Sequence, residues 1–421
     1  MITAALVVAV FSYAVVLSVY ISYFTFVLRN HKVKEYVHLM DQTIAKPLAF
    51  EDLPHVTAII PAFNEGTVIS RKLQNLAELE YPREKVEILL IDDFSTDGTC
   101  EIAENTFKNL GLRGKIVRNV QRMGANASYN NGVPNASSNL ILRTDADVMI
   151  KPDALRKAVQ IISHIENIGG VTGTMVPVTD SSSVATTAEK SYRRLFDLMS
   201  TAESALHSTF PGGGGFALIK RSVFSPIPVD RGSTDANISL SVIRKGYRYI
   251  YVPETFSMEP ISTEIKDQAK QKIRRASRLI QSTIMNKDLL FDKKYCEFGT
   301  TIFPLRFLMF VVCPLLTLVG IFATIIFILS YSVLFAGVLV VVACLFFFVG
   351  TKIKVGLLNS VASLVIQQFY LLLGLLLAGK RTKTWNSVNR PVLRGSKPNV
   401  SMGTIYTESN FARVQDGWHN D

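Results

Sequence analysis

Val86-Glu87-Ile88-Leu89-Leu90-Ile91 runs directly into Asp92-Asp93-Phe94-Ser95-Thr96-Asp97-Gly98-Thr99, and helical spacing then continues to Leu110 and stops at Gly111. A short apolar run, an acidic turn and a glycine-stopped helix make one unit of an α/β fold with a mainly parallel sheet. Similar units flank it. His55–Pro61 reads as a first strand, with Val68, Ile69, Leu73, Leu76 and Leu79 at helical spacing behind it. Leu140–Arg143 reads as a further strand, Pro152–Ile165 as a helix and Val171–Val178 as another strand. The acidic residues thus fall just past strand C-termini, the edge of an open parallel sheet where ligands bind. Two separate Asp clusters are expected to meet in one crevice.

Outside this middle the chain is too apolar for an ordinary soluble protein. Its 421 residues are 48% hydrophobic and 19% charged, with a mean hydropathy of +0.26. Ile2 to Leu28 contains no charged residue, and about 20 apolar residues suffice to cross a bilayer. Nothing basic precedes this stretch and no small-residue cleavage site follows it, so it reads as an uncleaved anchor rather than a signal peptide. Arg29, Lys32 and Lys34 come next, which predicts Met1 outside and the following domain in the cytoplasm. Beyond Gly299, Ile302–Leu329, Tyr331–Val349 and Val355–Ala378 are each long enough to span.

Three crossings would leave the tail outside, yet Lys380, Arg381, Lys383, Arg390, Arg394 and Lys397 favour a cytoplasmic tail. One segment is then expected to be re-entrant or interfacial. The last is one candidate, because Lys352, Gly356, Asn359, Ser363, Gln367, Tyr370 and Gly374 form a polar or small stripe; the first, with Arg306 and Pro314, is the other. The divisions are an anchor at 1–28, a cytoplasmic domain at 50–265, an amphipathic interfacial region at 266–298, a transmembrane bundle at 299–379 and a basic tail at 380–421. The four cysteines, Cys100, Cys296, Cys313 and Cys344, contain no CxxC pair, which argues against a disulfide framework or zinc site. The net charge of +11 fits an anionic membrane surface or a phosphorylated substrate, and nucleic acid is not needed to explain it.

The octet from Asp92 to Thr99 offers carboxylates for a nucleobase N–H and hydroxyls to cap the next helix; read alone it is also an Asp-rich capped turn. Thr144-Asp145-Ala146-Asp147 puts two hard oxygen ligands at i, i+2 after a strand, a pattern suited to Mg²⁺ or Mn²⁺ shared with substrate phosphates. Pro211-Gly212-Gly213-Gly214-Gly215-Phe216 lacks the GxxxxGK[ST] pattern of a P-loop and is either a flexible linker or a loop that lets a ligand approach backbone. Lys266–Lys287 predicts a basic helix with Ala269, Ile273, Ala276, Ile280 and Ile284 on one stripe, suited to an anionic membrane surface. Asp235, before an expected helix at Ala236–Arg244, reads equally as a cap.

Taken together, Pro61-Ala62-Phe63-Asn64-Glu65, the octet, the DAD triplet, Ser233-Thr234-Asp235 and Gln271-Lys272-Ile273-Arg274-Arg275 resemble, in order and spacing, family 2 glycosyltransferases with the GT-A fold. More closely, the chain is similar to the membrane-embedded synthases related to cellulose, hyaluronan and poly-N-acetylglucosamine synthases, from about Val56 to Ile284 and again at Trp385…Arg390. The resemblance implies that Ala62, Glu65 and Asp93 cradle the base and ribose of a nucleotide sugar. Asp145 and Asp147 match the diphosphate and metal motif, and Gln271 and Arg274 the diphosphate-contacting one. Asp235 matches the general base that deprotonates the acceptor hydroxyl, while Gly213, Gly214, Gly215 and Thr234 fall in acceptor-facing positions.

Three departures bear on the substrate. Arg275 stands where the processive synthases have Trp, Thr234 replaces Glu, and Gly124-Ala125-Asn126 lacks the Lys of the common Gly-Lys-Ala. The expectation is therefore a metal-dependent, inverting transferase in the cell membrane. It would use a UDP-sugar, with a GDP-sugar as the other donor, and act on a polysaccharide or polyprenyl-linked glycan. The alternative is a catalytically silent scaffold or a subunit of a polysaccharide export complex.

Overall fold

A computed structural model describes residues 2–178, 184–260, 264–331, 356–381 and 384. The expected span at Tyr331–Val349, Lys352, Lys354, Cys344 and most of the basic tail, including Lys383 and Trp385…Arg390, lie outside the described residues. The chain begins with α1 (Ile2–Leu28) and α2 (Lys32–Ile44). The first half of the sheet follows as β1 (Val56–Ala62), α3 (Ile69–Ala77), β2 (Val86–Asp92), α4 (Thr99–Leu110), β3 (Gly114–Arg118), α5 (Ala125–Asn135) and β4 (Leu140–Arg143). Next come β5 (Met149–Ile150), α6 (Ala154–His164), β6 (Ile168–Val178), α7 (Val184–Leu206), β7 (Ala217–Lys220), α8 (Thr234–Arg244) and β8 (Arg248–Pro260). The last elements are α9 (Ile265–Met285), α10 (Phe303–Phe307) between two π-helical turns, α11 (Cys313–Tyr331) and α12 (Gly356–Leu377).

The eight strands form one mixed sheet in the order β3-β2-β1-β4-β7-β6-β8-β5. β1, β2, β3 and β4 are mutually parallel, as are β6 and β8, whereas β7 runs antiparallel to both its neighbours. Register puts both acidic clusters at one edge. Ala62 lies opposite Asp92 and Ile59 opposite Arg143, and the ladder continues past the strands through Asp93 N–H to Ala62 O at 2.8 Å and Thr144 N–H to Ile59 O at 3.3 Å.

Both faces of the sheet are covered, so its central strands read as unbroken apolar runs. Ala58, Ile60, Leu90 and Leu142 pack with Leu73, Phe107 and Leu155 of α3, α4 and α6. Ile59, Ile91, Ile141 and Tyr249 pack on the opposite face with Tyr129 of α5, Phe196 of α7 and Ile280 of α9. The apolar helices share this second core through Tyr23, Phe303, Phe310 and Leu371.

Two expectations change on contact with the structure. The α9 stripe is covered along part of its length: Ala276 and Ile280 are buried while Ile284 is 40% exposed, and α12 crosses so closely that a Cβ on Gly374 would come within 2.7 Å of Ala276 Cβ and Ser277 N. Arg306 does not interrupt an exposed apolar face, because Phe298 to Phe310 packs into the core and Arg306 is 2% exposed. Outward-facing apolar residues begin further on, at Leu315, Val319, Phe322, Ile326 and Leu329, and on α1 at Leu6, Val7, Val10, Phe11 and Leu17. By length and composition, Thr3–Val27 and Phe298–Ser330 could each cross a membrane, and Val365–Leu377 is a shorter apolar helix.

Candidate active site

The acidic turn after β2 divides its labour. Asp92 is fully buried, accepts from Ser95 N–H at 3.2 Å and pairs with Arg118 Nε at 3.0 Å. Asp97 accepts from Gly66 N–H at 2.9 Å and Thr99 N–H at 3.1 Å, and these bonds hold its carboxyl below the usual range despite the burial that opposes them. Ser95 accepts from Asn64 N–H and Thr99 from Glu65 N–H, each at 3.0 Å, which laces the β1 and β2 ends together. Asn64 and Phe94, beside these bonds, take left-handed φ values of 54° and 70°, strain of the kind that gathers at functional sites. Most of the octet is thus the capped turn, and Asp93 is the member directed to the cavity. Its Oδ1 accepts from Asn119 Nδ2 at 2.9 Å and Met123 N–H at 2.7 Å, and its Oδ2 from Gly124 N–H at 2.8 Å.

A cavity of about 390 Å³ opens along this edge. It is lined by Ala62, Glu65, Asp93, Asp145, Asp147, Asp235, Gln271 and Arg274, all singled out by sequence, and by Gly214, Gly215 and Thr234. Gly213 turns the other way: Thr172 donates to its carbonyl at 3.3 Å, and a Cβ there would lie 2.5 Å from Gly173 O. Thr234 donates to Asn126 Oδ1 at 2.6 Å. Asn126 in turn donates to Pro228 O at 2.8 Å, so the residue next to the missing Lys ties α5 to the loop before α8. Ser233, not Asp235, caps α8 by accepting from Ala236 N–H at 3.3 Å.

Asp235 instead pairs with Arg143. The same guanidinium reaches Asp145 Oδ2 through Nη2 at 3.2 Å and lies 5.6 Å from the Tyr129 ring centroid. Arg143 is 5% exposed. Burial raises the Asp235 carboxyl above its ordinary range, with Asp145 adding to the rise and Arg143 opposing it.

Below the DAD turn, Lys72 of α3 is fully buried. Its ammonium donates to Thr144 Oγ1 at 2.7 Å and Val148 O at 2.5 Å, and Asn75 exchanges two 2.8 Å bonds with Ile150 backbone. Desolvation brings Lys72 down to about 7, with Asp145 and Asp147 pulling the other way. Sequence reasoning missed Lys72 and Arg143. The signals were a Lys in register with Ile69, Leu73 and Leu76, and a charge closing an apolar strand.

Among the described residues no three acidic, His or Cys side chains converge as a metal cage. Asp145 and Asp147 supply two hard oxygen ligands on one turn, a set that fits an ion completing its shell with substrate phosphate and water. Another part of the lining is apolar: Tyr20 of α1, Phe196 and Met199 of α7, Phe310, and Leu371 of α12. Arg275 pairs with Glu259 of β8, which also faces Arg193 at 3.9 Å.

Residues 57–227 match the family described as Glycosyl transferase family 2. Poly-beta-1,6-N-acetyl-D-glucosamine synthase of Staphylococcus aureus is 25% identical over 263 residues, covering 62% of this chain and 61% of that protein. An N-acetylglucosaminyltransferase of Rhizobium meliloti is 24% identical over 263 residues, 58% of this chain and 60% of its own length. The chain thus spans about three fifths of the curated relatives it matches. Among solved structures, mannosyltransferase PcManGT from Pyrobaculum calidifontis, in complex with GDP-Man and Mn²⁺, superposes with a TM-score of 0.66 at 23% identity, over 87% of this chain and 98% of that one. Over residues 57–227 the chain thus resembles a family 2 glycosyltransferase domain, its fold is that of GT-A glycosyltransferases, and poly-N-acetylglucosamine synthases are among its relatives.

Proposed function

We propose that this chain is a membrane-bound, inverting hexosyltransferase that moves a sugar from a nucleoside-diphosphate sugar to a saccharide held at the membrane. One observation carries the reading: a continuous cavity runs from Glu65, Asp93, Asp145 and Asp147 past Asp235 to Phe310 and Leu371 of the apolar helices. Ala62, Glu65 and Asp93 take the base and ribose, while Asp145, Gln271 and Arg274 face the diphosphate. Bound by Asp145 and Asp147, Mg²⁺ or Mn²⁺ would supply positive charge against the departing diphosphate. Asp235 accepts the proton of the acceptor hydroxyl as it attacks, since a sugar hydroxyl is a poor nucleophile until that proton has somewhere to go. A single displacement inverts the anomeric carbon. Gly214, Gly215 and Thr234 line the acceptor side, and Gly213 supports that loop from behind.

UDP-sugar is the donor we favour, from the relatives named for N-acetylglucosamine; PcManGT, solved in complex with GDP-Man, makes GDP the other arm of the test. The apolar part of the wall and Arg275 in the Trp position support a polyprenyl-linked glycan that receives few units. The relation to poly-N-acetylglucosamine synthases supports a growing polysaccharide as the second acceptor. Outward-facing apolar residues of α1 and α11, with Arg29, Lys32 and Lys34 directly after α1, support a multi-pass protein of the plasma membrane with its catalytic domain in the cytoplasm. Membranes holding the full chain would be given labelled UDP- or GDP-sugars with Mg²⁺ or Mn²⁺. Label in an organic extract supports the lipid-linked acceptor, and label in a high-mass aqueous product the polymer. Absence of transfer from every donor returns the chain to the scaffold reading, and transfer that survives chelator removes the metal from the mechanism.

A further inference from the structure

Arg143 belongs to no motif that the sequence reading used, yet it joins the two halves of the proposed reaction. It closes β4, immediately before the DAD turn, with its guanidinium buried beside Tyr129. One arm, Nη1, is committed to Asp235. The other, Nη2, lies 3.3 Å and 3.2 Å from the two oxygens of Asp145, longer than charge-assisted bonds of this type usually are. Asp145 is also the more open partner, with its side chain 39% exposed against 27% for Asp235. The fork therefore faces both carboxylates, ion-paired with Asp235 through Nη1 and bonded through Nη2 to the more open Asp145 by two long contacts.

We propose that Arg143 is a positioning residue that acts as a built-in counter-cation. It aligns the Asp235 carboxylate, and it shares Asp145 so that a divalent cation is held well only together with the nucleotide diphosphate. The proposal rests on the assignment of Asp145 and Asp147 to the metal. Without nucleotide, a dication at these carboxylates meets a fixed positive charge that already neutralises one of them. A diphosphate adds negative charge and oxygen ligands, and Asp145 then turns from its long contact with Nη2 to the ion while Nη1 keeps Asp235 in place. A guanidinium suits both tasks because it is permanently charged and its fork spans two acceptors; a lysine supplies the charge alone.

The test reads Mn²⁺ binding to the purified full chain in detergent, by the electron paramagnetic resonance signal of free Mn²⁺, with and without UDP or GDP. Wild type should bind Mn²⁺ at least tenfold more tightly with the nucleotide it prefers. Arg143→Met should bind Mn²⁺ at least tenfold more tightly than wild type in the absence of nucleotide, and Arg143→Lys should stay near wild type. In transfer assays both variants should lose kcat, with donor KM changed less than threefold. Should Arg143→Met fail to fold, Asp235→Asn gives the converse reading: Arg143 is released onto Asp145, and nucleotide-free Mn²⁺ binding weakens at least threefold. Equal or weaker nucleotide-free binding in Arg143→Met overturns the proposal for Arg143, as does unchanged binding in Asp235→Asn. If wild type binds no Mn²⁺ even with nucleotide, the metal assignment itself falls and this proposal with it.

Discussion

Replacing Arg306 with Met should weaken the molecule more than any surface change, because Arg306 neutralises a carboxylate at the junction of three elements. Glu203 of α7 is fully buried and Arg306 is 2% exposed. Arg306 Nε donates to Glu203 Oε1 at 2.6 Å, and Tyr23 of α1 donates its hydroxyl to the same oxygen at 2.7 Å. Thr209 donates to Oε2 at 2.9 Å, and the Arg306 guanidinium lies 5.1 Å from the Tyr23 ring centroid. In Arg306→Met the neutral donors remain but the buried negative charge loses its cation, at a cost of about 3–5 kcal/mol. Glu203→Gln with Arg306→Met removes both charges and should return to within about 2 kcal/mol of wild type. The assay is the thermal midpoint of the monodisperse detergent-solubilised protein at one fixed scan rate, because the midpoint of a large chain that unfolds irreversibly depends on that rate. At about 1–2 °C per kcal/mol for a chain of this size, the single variant should melt on the order of 5 °C lower. A single variant that melts within about 2 °C of wild type, or a double variant as weak as the single, refutes the reasoning. Thr209 and Phe210 lead into the glycine loop, so transfer should fall with stability in the single variant and recover in part in the double.

Three further outcomes follow from the site. Asp235→Asn should lower transfer by about 10²–10⁴-fold while nucleotide binding changes little; transfer close to wild type would remove Asp235 as the base. Lys72 should give a pH signature: its folded pKa of about 7 lies below that of an exposed lysine, so above pH 7 the unfolded chain binds more protons and stability rises with pH. The penalty of burying the ammonium is fully present below pH 7 and fades towards pH 10, worth on the order of 2 kcal/mol between pH 7 and 9. The difference in melting midpoint between wild type and Lys72→Met should change in that direction, and a constant difference would count against a buried titrating lysine. Gly213→Ala forces a Cβ to within 2.5 Å of Gly173 O, whereas the nearest neighbour for Gly214→Ala is Met175 Cε at 3.4 Å. Gly213→Ala should therefore lower both melting midpoint and kcat, and Gly214→Ala should keep the midpoint and raise acceptor KM; equal midpoints would mean the loop backs away from β6 freely.

What could be read in advance was governed by local chemistry. α4 runs from Thr99 to Leu110 as expected because Gly111 takes a left-handed φ of 61° and ends it, and Leu140–Arg143 is a strand because an apolar run buried on both faces has no other use. β3 was not legible, since as an edge strand it carries an exposed or half-exposed side chain at every position. α7 was missed because it is rich in Thr, Ser and Glu; what makes it helical is tertiary, with Phe196, Met199 and Ala202 buried in the shared core. Asp93, Asp145 and Asp147 stood out because carboxylates after strands have a recognisable purpose, whereas Glu65 and Asp235 stood out only through the resemblance. Their cationic partners did not, because a lone Lys72 or Arg143 inside an apolar pattern acquires meaning only when the fold brings the Asp clusters around it. The α9 stripe was visible as apolar, but its partner, α12, lies about ninety residues further on.

That last packing bears on how the acceptor arrives. α9 carries Gln271 and Arg274 towards the donor side, and on the same helix Ala276 and Ile280 are clamped by α12. Gln281 donates to Ala378 O and Lys380 O at 2.9 Å each, fixing the end of that apolar helix to the domain. Part of the cavity wall is therefore built by the helices proposed to lie in lipid, and any shift of α12 moves α9, the helix proposed to face the diphosphate. An acceptor entering from the aqueous side would need none of Tyr20, Phe310 or Leu371 along its route. Those three apolar side chains line the same cavity as Asp235, which suits the proposed lipid-tethered glycan. Arg275, drawn down onto Glu259, offers no flat platform on which a long sugar chain could slide. The apolar wall and the ion-paired Arg275 support the lipid-linked arm of the proposed acceptor over the polymer arm.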